Sequence, residues 1–215
     1  MKYRLILASA SPRRKKLLEQ TGAEFEVIPA RGEEVFTGTS PEQAVLELSG
    51  QKAEEVAGRL FGCPSYGGEP EAVKGGTENG EAEYAAILGA DTVVAFEGQI
   101  LGKPENEADA LRMLRMLSGN THSVFTGVTV IAGNGREKRI ISFAEETKVT
   151  MYPMTEEQIQ AYVETKEPMD KAGAYGIQGK CAIYIEKIEG DYNNVVGLPV
   201  AALYQKLTKS GIEIL

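Results

Sequence analysis

Apolar positions along the chain fall into short runs, and the breaks between them carry capping residues. Leu5-Ile6-Leu7-Ala8 is an apolar run that stops at Ser9-Ala10-Ser11-Pro12-Arg13-Arg14. It predicts a first strand over about 3–8 and then a helix from Pro12 to Gln20. Ser11 can cap that helix, and Pro12 suits its first position, where no backbone N–H is needed. Phe25-Glu26-Val27-Ile28 predicts a second strand ahead of Pro29. Ser40-Pro41-Glu42-Gln43 has the cap, proline and glutamine of a capping box. Ala44, Val45, Leu48, Ala53 and Val56 follow at helical spacing to about Ala57.

Residues 62–83 lose all periodicity and are rich in Gly, Pro and Glu, which reads as a flexible surface insertion. From Tyr84 the pattern is dense again. Ala85 to Ala90 is apolar, Asp91-Thr92-Val93-Val94-Ala95-Phe96 continues it, and Glu97-Gly98 turns the chain into Gln99-Ile100-Leu101. Asn106 to Leu117 predicts a helix with Ala110, Leu111, Leu114 and Leu117 on one face. Val124 to Ala132 and Arg139 to Met151 predict a hairpin around Asn134-Gly135. Thr155 caps a helix to about Thr165, Ala182 to Ile188 reads as a strand, and Val196 to Leu207 as a last helix with Pro199 in its first turn. Alternating strands and helices with one clear hairpin predict an α/β fold with a mixed sheet.

Composition narrows the function. A chain of 215 residues, 42% hydrophobic and 25% charged, is an ordinary globular protein that can bury a real core. No apolar run approaches the roughly 20 residues of a membrane span. The apolar start is too short for a secretion signal. Cys63 and Cys181 lack metal-ligand spacing, so a reduced, cytoplasmic protein is expected. The net charge of −8 disfavours duplex nucleic acid. The cluster Arg13 to Lys16 suits a small polyphosphate better than a long DNA backbone.

Three clusters carry candidate chemistry. At the first, a helix N-terminus, the Ser9 and Ser11 hydroxyls, Arg13 and Arg14 converge in a way that suits a phosphate. The second is Asp91-Thr92, a carboxylate inside an apolar segment. Such a charge is costly unless it is paired, metal-bound or at a strand end facing a cleft. Lys103 follows in a Gly-Lys-Pro turn that is not a Walker A loop. The third is Asp170-Lys171-Ala172-Gly173-Ala174-Tyr175-Gly176-Ile177-Gln178-Gly179, a glycine-rich loop in which Gln178 offers donor and acceptor to a base edge. His122 is the only histidine, which leaves no histidine triad or histidine metal cluster.

These pieces, with Lys52-Ala53, Ser118-Gly119-Asn120-Thr121-His122, Thr126-Gly127-Val128 and Val196-Gly197-Leu198-Pro199, occur in the order found in the Maf family. The chain resembles these septum-formation-associated nucleoside triphosphate pyrophosphatases over nearly its full length. The resemblance implies a single Maf-like domain over residues 1–215. It implies a two-lobed mixed sheet with flanking helices, akin to inosine triphosphatases, and a substrate cleft between the lobes. It implies cleavage of a nucleoside triphosphate to the monophosphate and pyrophosphate, with Asp91 as proton acceptor. Arg13, Thr92 and Gln178 match the family's base-selecting positions. The Ala-Tyr-Gly-Ile-Gln form resembles the dTTP/UTP branch rather than the 7-methyl-GTP branch.

A triphosphate carries about four negative charges, and its hydrolysis needs cation clamps, a divalent ion and an oriented water. Ser9, Arg14, Lys52 and Lys103 are the expected phosphate-binding residues. Asp91 and Glu33 are the expected oxygen ligands for Mg²⁺ or Mn²⁺. Whether Asp91 is the base or a metal ligand stays open at this point. The expected partner is the nucleoside triphosphate, without nucleic acid or membrane, and a homodimer is left open. A non-catalytic regulator of septum formation is the alternative from another class. Gly50 departs from the family pattern and weakens the helix that carries Lys52 by up to about 1 kcal/mol.

Overall fold

The computed structural model describes residues 3–32, 35–62, 84–134 and 136–214. Its strands are β1 (Arg4–Leu7), β2 (Phe25–Val27), β3 (Ala85–Phe96), β4 (Gln99–Leu101), β5 (Thr121–Gly133), β6 (Lys138–Met151) and β7 (Ile185–Glu189). They form one mixed sheet in the order β2-β1-β3-β5-β6-β7, with β4 also on β3. Pairing is parallel across β2, β1 and β3 and antiparallel from β3 onward. The helices are α1 (Pro12–Gln20), α2 (Pro41–Phe61), α3 (Glu107–Leu117), α4 (Glu156–Glu164), α5 (Tyr192–Val196) and α6 (Val200–Lys209). The mixed α/β class expected from the pattern is the class observed.

The two lobes arise because the long central strands serve two cores in turn. Ala86, Leu88 and Ala90 of β3 pack with Val128 and Val130 of β5, Leu17 and Leu18 of α1, and Leu203 and Leu207 of α6. Further along the same strands, Val94 and Val124 pack with Leu114 and Leu117 of α3 and with Ile159 and Val163 of α4. Asp91 and Thr92 fall between these two cores. Alternation along β3 aims Ala85 and Ile87 at the opposite face, where Ala53 and Val56 of α2 cover them.

α2 comes unusually close to the sheet, and two strand glycines are the reason. A Cβ on Gly89 would lie 2.2 Å from the Ser49 carbonyl oxygen, and one on Gly127 would lie 2.2 Å from that of Val45. Any side chain there would lift the helix off the strands. The capping box closes as expected: Ser40 Oγ accepts from Gln43 N–H, and the Gln43 side chain reaches back to the cap. α2 runs unbroken through Gly50 to Phe61, four residues past the expected end.

Two expectations are corrected. The strand placed at Ala182 to Ile188 begins instead as a 3-10 turn over Lys180–Tyr184 and becomes β7 only at Ile185. The helix placed at Val196 to Leu207 is two helices. Asp191 caps α5 through Asn193 N–H, Gly197 ends it at φ 124°, and Pro199 stands before α6. A continuous helix cannot pass that glycine conformation. The insertion expected at 62–83 lies outside the described residues, except for Gly62, which ends α2.

Candidate active site

β1 and β4 both pair with the same edge of β3, and they do not meet. β1 ends with Leu7 opposite Leu88, with a last bond from Ala8 N–H to the Leu88 carbonyl, and β4 pairs only from Val94, opposite its last residue Leu101, to Phe96. Residues 89–93 therefore have no strand on that edge among the described residues, while β5 pairs with all of them on the other. The cleft opens in this gap and encloses 690 Å³, a volume typical of small-molecule sites. A gap in a sheet exposes both faces of the strand behind it. That is how the adjacent Asp91 and Thr92, which point to opposite faces, line one cleft. Of the three ways to make a carboxylate in an apolar run tolerable, pairing, a metal or a strand end facing a cleft, Asp91 shows the first, with Lys52 as its partner. Asp91 lies inside β3, opposite Gly127.

α2 presents Lys52 to the Asp91 face. Lys52 Nζ donates to Asp91 Oδ1 at 2.5 Å, and both side chains are nearly buried. Asp91 Oδ2 has no partner among the described residues. Such a pair is electrostatically strong only because water is scarce around it. Gly50, which argued against Lys52, faces the sheet with open space around it: the nearest atom to a Cβ there is Thr129 Oγ1 at 4.0 Å.

α1 fills the Thr92 face, and its two arginines take different parts. Arg14 is committed to protein: Nε donates to the Gly197 carbonyl at 2.8 Å, Nη1 to Ser9 Oγ at 3.2 Å and Nη2 to Thr92 Oγ1 at 3.0 Å. Thr92 Oγ1 also bonds Thr126 Oγ1 at 2.9 Å, and Thr126 donates to the Asn194 carbonyl at 2.9 Å. Two amides expected to face an anion are taken locally: Ser9 Oγ accepts from Ser11 N–H and Ser11 Oγ from Arg14 N–H. Arg13 instead reaches across the cleft and donates to Asp170 Oδ2 at 2.9 Å. Lys171 Nζ holds the other oxygen of Asp170 at 2.6 Å. Burial opposes the charge on Asp170, but the Lys171 and Arg13 bonds outweigh it and hold its carboxyl below the ordinary range.

Lys103 and Gln178 also line the cleft; both are exposed and make no hydrogen bond or ion pair among the described residues. Among the described residues, Arg13, Arg14, Lys52, Lys103 and Lys171 thus face two carboxylates, Asp91 and Asp170. In a chain of net charge −8 this is a local cationic excess, the field a polyphosphate requires. Glu33 lies outside the described residues. Among the described residues no group of three or more His, Cys, Asp or Glu is placed to hold a metal, and no helix is long and apolar enough to cross a membrane.

Sequence reasoning missed Phe36, which lines the cleft from the loop ahead of α2. That loop is held by three side chains spaced four apart on α2. Gln43 Oε1 accepts from Thr39 N–H, Glu47 Oε2 from Thr37 N–H and Gln51 Oε1 from Val35 N–H. Four helical residues rise about 6 Å and two open-chain residues about 6.6 Å, so alternate amides meet successive turns. The spacing of Gln43, Glu47 and Gln51 was the available signal. His122 is buried and does not itself line the cleft; its Nε2 lies 2.8 Å from Oη of Tyr175, which does. Burial pushes its imidazole down to about 4.

With this geometry in hand, similarity to known proteins is specific. The Maf-like protein family matches residues 4–210. A dTTP/UTP pyrophosphatase of Agathobacter rectalis is 56% identical over 98% of each chain. A protein of the same name from Lachnoclostridium phytofermentans is 45% identical over 99% of this chain and 98% of its own. A third, from Bacillus thuringiensis, is 46% identical over 98% and 97%. A match that spans both cores and every strand bordering the cleft leaves one assignment: the chain belongs to the Maf family.

Proposed function

We propose that this protein is a nucleoside triphosphate pyrophosphatase that hydrolyses dTTP and UTP, together with modified pyrimidine triphosphates, to the monophosphate and pyrophosphate. The observation that carries the reading is Asp91, paired to Lys52 at the gap in the sheet and surrounded by cationic side chains. The pyrimidine substrates follow from the relatives, which bear the name dTTP/UTP pyrophosphatase.

In this reading, water attacks the α-phosphorus, the α–β anhydride bond breaks, and pyrophosphate leaves with the bridging oxygen. Asp91 Oδ2 takes the water proton, because Lys52 already occupies Oδ1. Lys103 and Arg13 meet the phosphates, and release of Arg13 from Asp170 is the exchange that substrate binding requires. Arg14 and Ser9 act as the buttress of that wall. Gln178 and Thr92 set the choice of base, Gln178 through its exposed amide.

A divalent ion fits this donor set. Mg²⁺ takes one or two carboxylates together with phosphate oxygens and waters rather than an all-protein cage. Both oxygens of Asp170 are engaged. With Asp91 as the base, Glu33 is the carboxylate that would hold the ion together with the phosphates; Asp91 would hold it only in the alternative in which it is not the base. When bound, Mg²⁺ or Mn²⁺ polarises the phosphoryl oxygens. The reading also places the protein in the cytoplasm, with no nucleic acid among its partners.

The test is pyrophosphate release from a panel of triphosphates with Mg²⁺ or Mn²⁺. Turnover of dTTP and UTP ahead of the purine nucleotides is expected. No turnover from folded protein would reject the enzyme, and faster turnover of 7-methyl-GTP would reject the pyrimidine preference.

A further inference from the structure

The turn that carries Gln178 is held at both ends by one pair outside the residues assigned above, buried Tyr162 and half-buried Glu167. Gly179 N–H bonds the Gly176 carbonyl at 3.1 Å, so Ile177 and Gln178 form the corner of a four-residue turn. At its start, Gly176 N–H donates to Tyr162 Oη at 3.2 Å. At its end, Lys180 N–H donates to both Glu167 oxygens, at 3.0 and 3.2 Å. Tyr162 Oη in turn donates to Glu167 Oε1 at 3.0 Å. The four groups make a chain of hydrogen bonds across the base of the turn, from Gly176 N–H through Tyr162 and Glu167 to Lys180 N–H.

Sequence and packing agree with that arrangement. Tyr162 projects from α4 and is almost wholly buried in the second core. A Cβ on Gly179 would lie 1.9 Å from Glu167 Oε1, so no larger residue admits the carboxylate beneath the turn. A Cβ on Gly176 would lie 2.6 Å from Lys171 Cε. Lys171 Nζ bonds both the Glu167 carbonyl, at 2.5 Å, and the Asp170 carboxylate. Since Asp170 also receives Arg13, the segment 167–171 ties together the two walls of the cleft that carry Gln178 and Arg13.

We infer that Tyr162 and Glu167 are positioning residues for base recognition: they fix the turn at Gly176–Lys180 so that the Gln178 amide meets the pyrimidine edge. The inference rests on the pyrophosphatase reading and extends it to two residues that touch no substrate. A side chain that reads a base gains selectivity only if its backbone is already held in place. The Gln178 side chain makes no bond of its own among the described residues, and besides the packing of Ile177 on the first core it is these hydrogen bonds that hold its turn.

The test uses Tyr162→Phe, which removes the hydroxyl and keeps the buried ring. With dTTP as substrate, KM should rise roughly tenfold, the effect of one lost hydrogen-bond link, and kcat should stay within about twofold. Made on top of Gln178→Ala, the same change should raise KM no further, because the turn then has no amide to place. Amide exchange at Gly176 and Lys180 should quicken in Tyr162→Phe while exchange in β3 and β5 does not. Glu167→Gln keeps an acceptor for both donors and should recover most of the lost affinity relative to Glu167→Ala. If Tyr162→Phe does not fold, the Glu167→Gln and Glu167→Ala pair decides by the same KM comparison.

An equal rise in KM with and without Gln178, a fall in kcat alone, or unchanged exchange at Gly176 and Lys180 would each overturn the inference. Wild-type protein that turns over neither dTTP nor UTP would refute the underlying activity instead. The exchange measurement then still reports whether the pair holds the turn.

Discussion

Lys52 Nζ lies 2.5 Å from Asp91 Oδ1, although the two residues are 39 positions apart in the chain. The contact depends on α2 touching β3 and β5 at Gly89 and Gly127. Helix, glycines and carboxylate therefore form one device, and its separate parts can be tested.

Asp91→Asn keeps an acceptor for Lys52 and removes the base. It should lower kcat for dTTP by at least about a hundredfold. The loss of stability should be only about 1–3 kcal/mol. Steady-state turnover and urea unfolding on one preparation check both. The Mn²⁺ concentration giving half-maximal turnover separates the two tasks open to Asp91: an unchanged value supports the base, and a large increase makes it a metal ligand.

Arg13 and Arg14 should part company. Arg13 pairs with a carboxylate open to solvent, and such pairs add about 0–1 kcal/mol. Arg13→Ala should leave the unfolding midpoint nearly unchanged and raise KM about tenfold. Arg14→Ala strips donors from Gly197, Ser9 and Thr92 together, and should destabilise the fold by about 2–4 kcal/mol. Equal unfolding midpoints in the two variants would remove the distinction.

Glycine-to-alanine changes in the α2 contact should have opposite signs. Gly127→Ala drives a methyl group into the Val45 carbonyl, and a loss of about 3 kcal/mol is expected. Gly50→Ala has room and gains helix propensity, so it should stabilise by about 0.5–1 kcal/mol. Thermal melts of both variants decide this. Stabilisation by Gly127→Ala would mean that α2 does not bear on β5 there.

His122 should make stability fall with acid. Burial holds its pKa at about 4 in the folded chain, against 6.5 ordinarily. Between those values the unfolded chain binds more protons. The stability contributed by the neutral ring is present above about 6.5 and is lost as pH falls toward 4. Between pH 7.5 and 5 the loss from this group is about 2 kcal/mol. In His122→Gln the difference in urea stability between those two pH values should shrink by that amount. An unchanged difference would show that the acid sensitivity lies in the carboxylates.

Local signals in the chain already placed most elements. Ser11-Pro12 and Ser40-Pro41 start α1 and α2 where their caps predict, and Thr155 with Gln158 closes the capping box of α4. Each of these depends on residues within one helical turn, so it is written in the order of the sequence. The break at Gly197 was not legible, because an apolar run flanked by proline looks the same whether one helix or two run through it. Asp91, Thr92, Arg13, Lys52, Lys103 and Gln178 were each legible as residues with suitable chemistry, and the ordered motifs named the family. Tertiary structure alone decided how they meet. β1 and β4 stop short of each other on one edge of β3, which opens both faces of that strand to one cleft. It also decided which arginine is spent on the protein and which can be released to a ligand. Those are matters of long-range register and close approach, set by how two strand glycines seat a helix, and no local pattern encodes them.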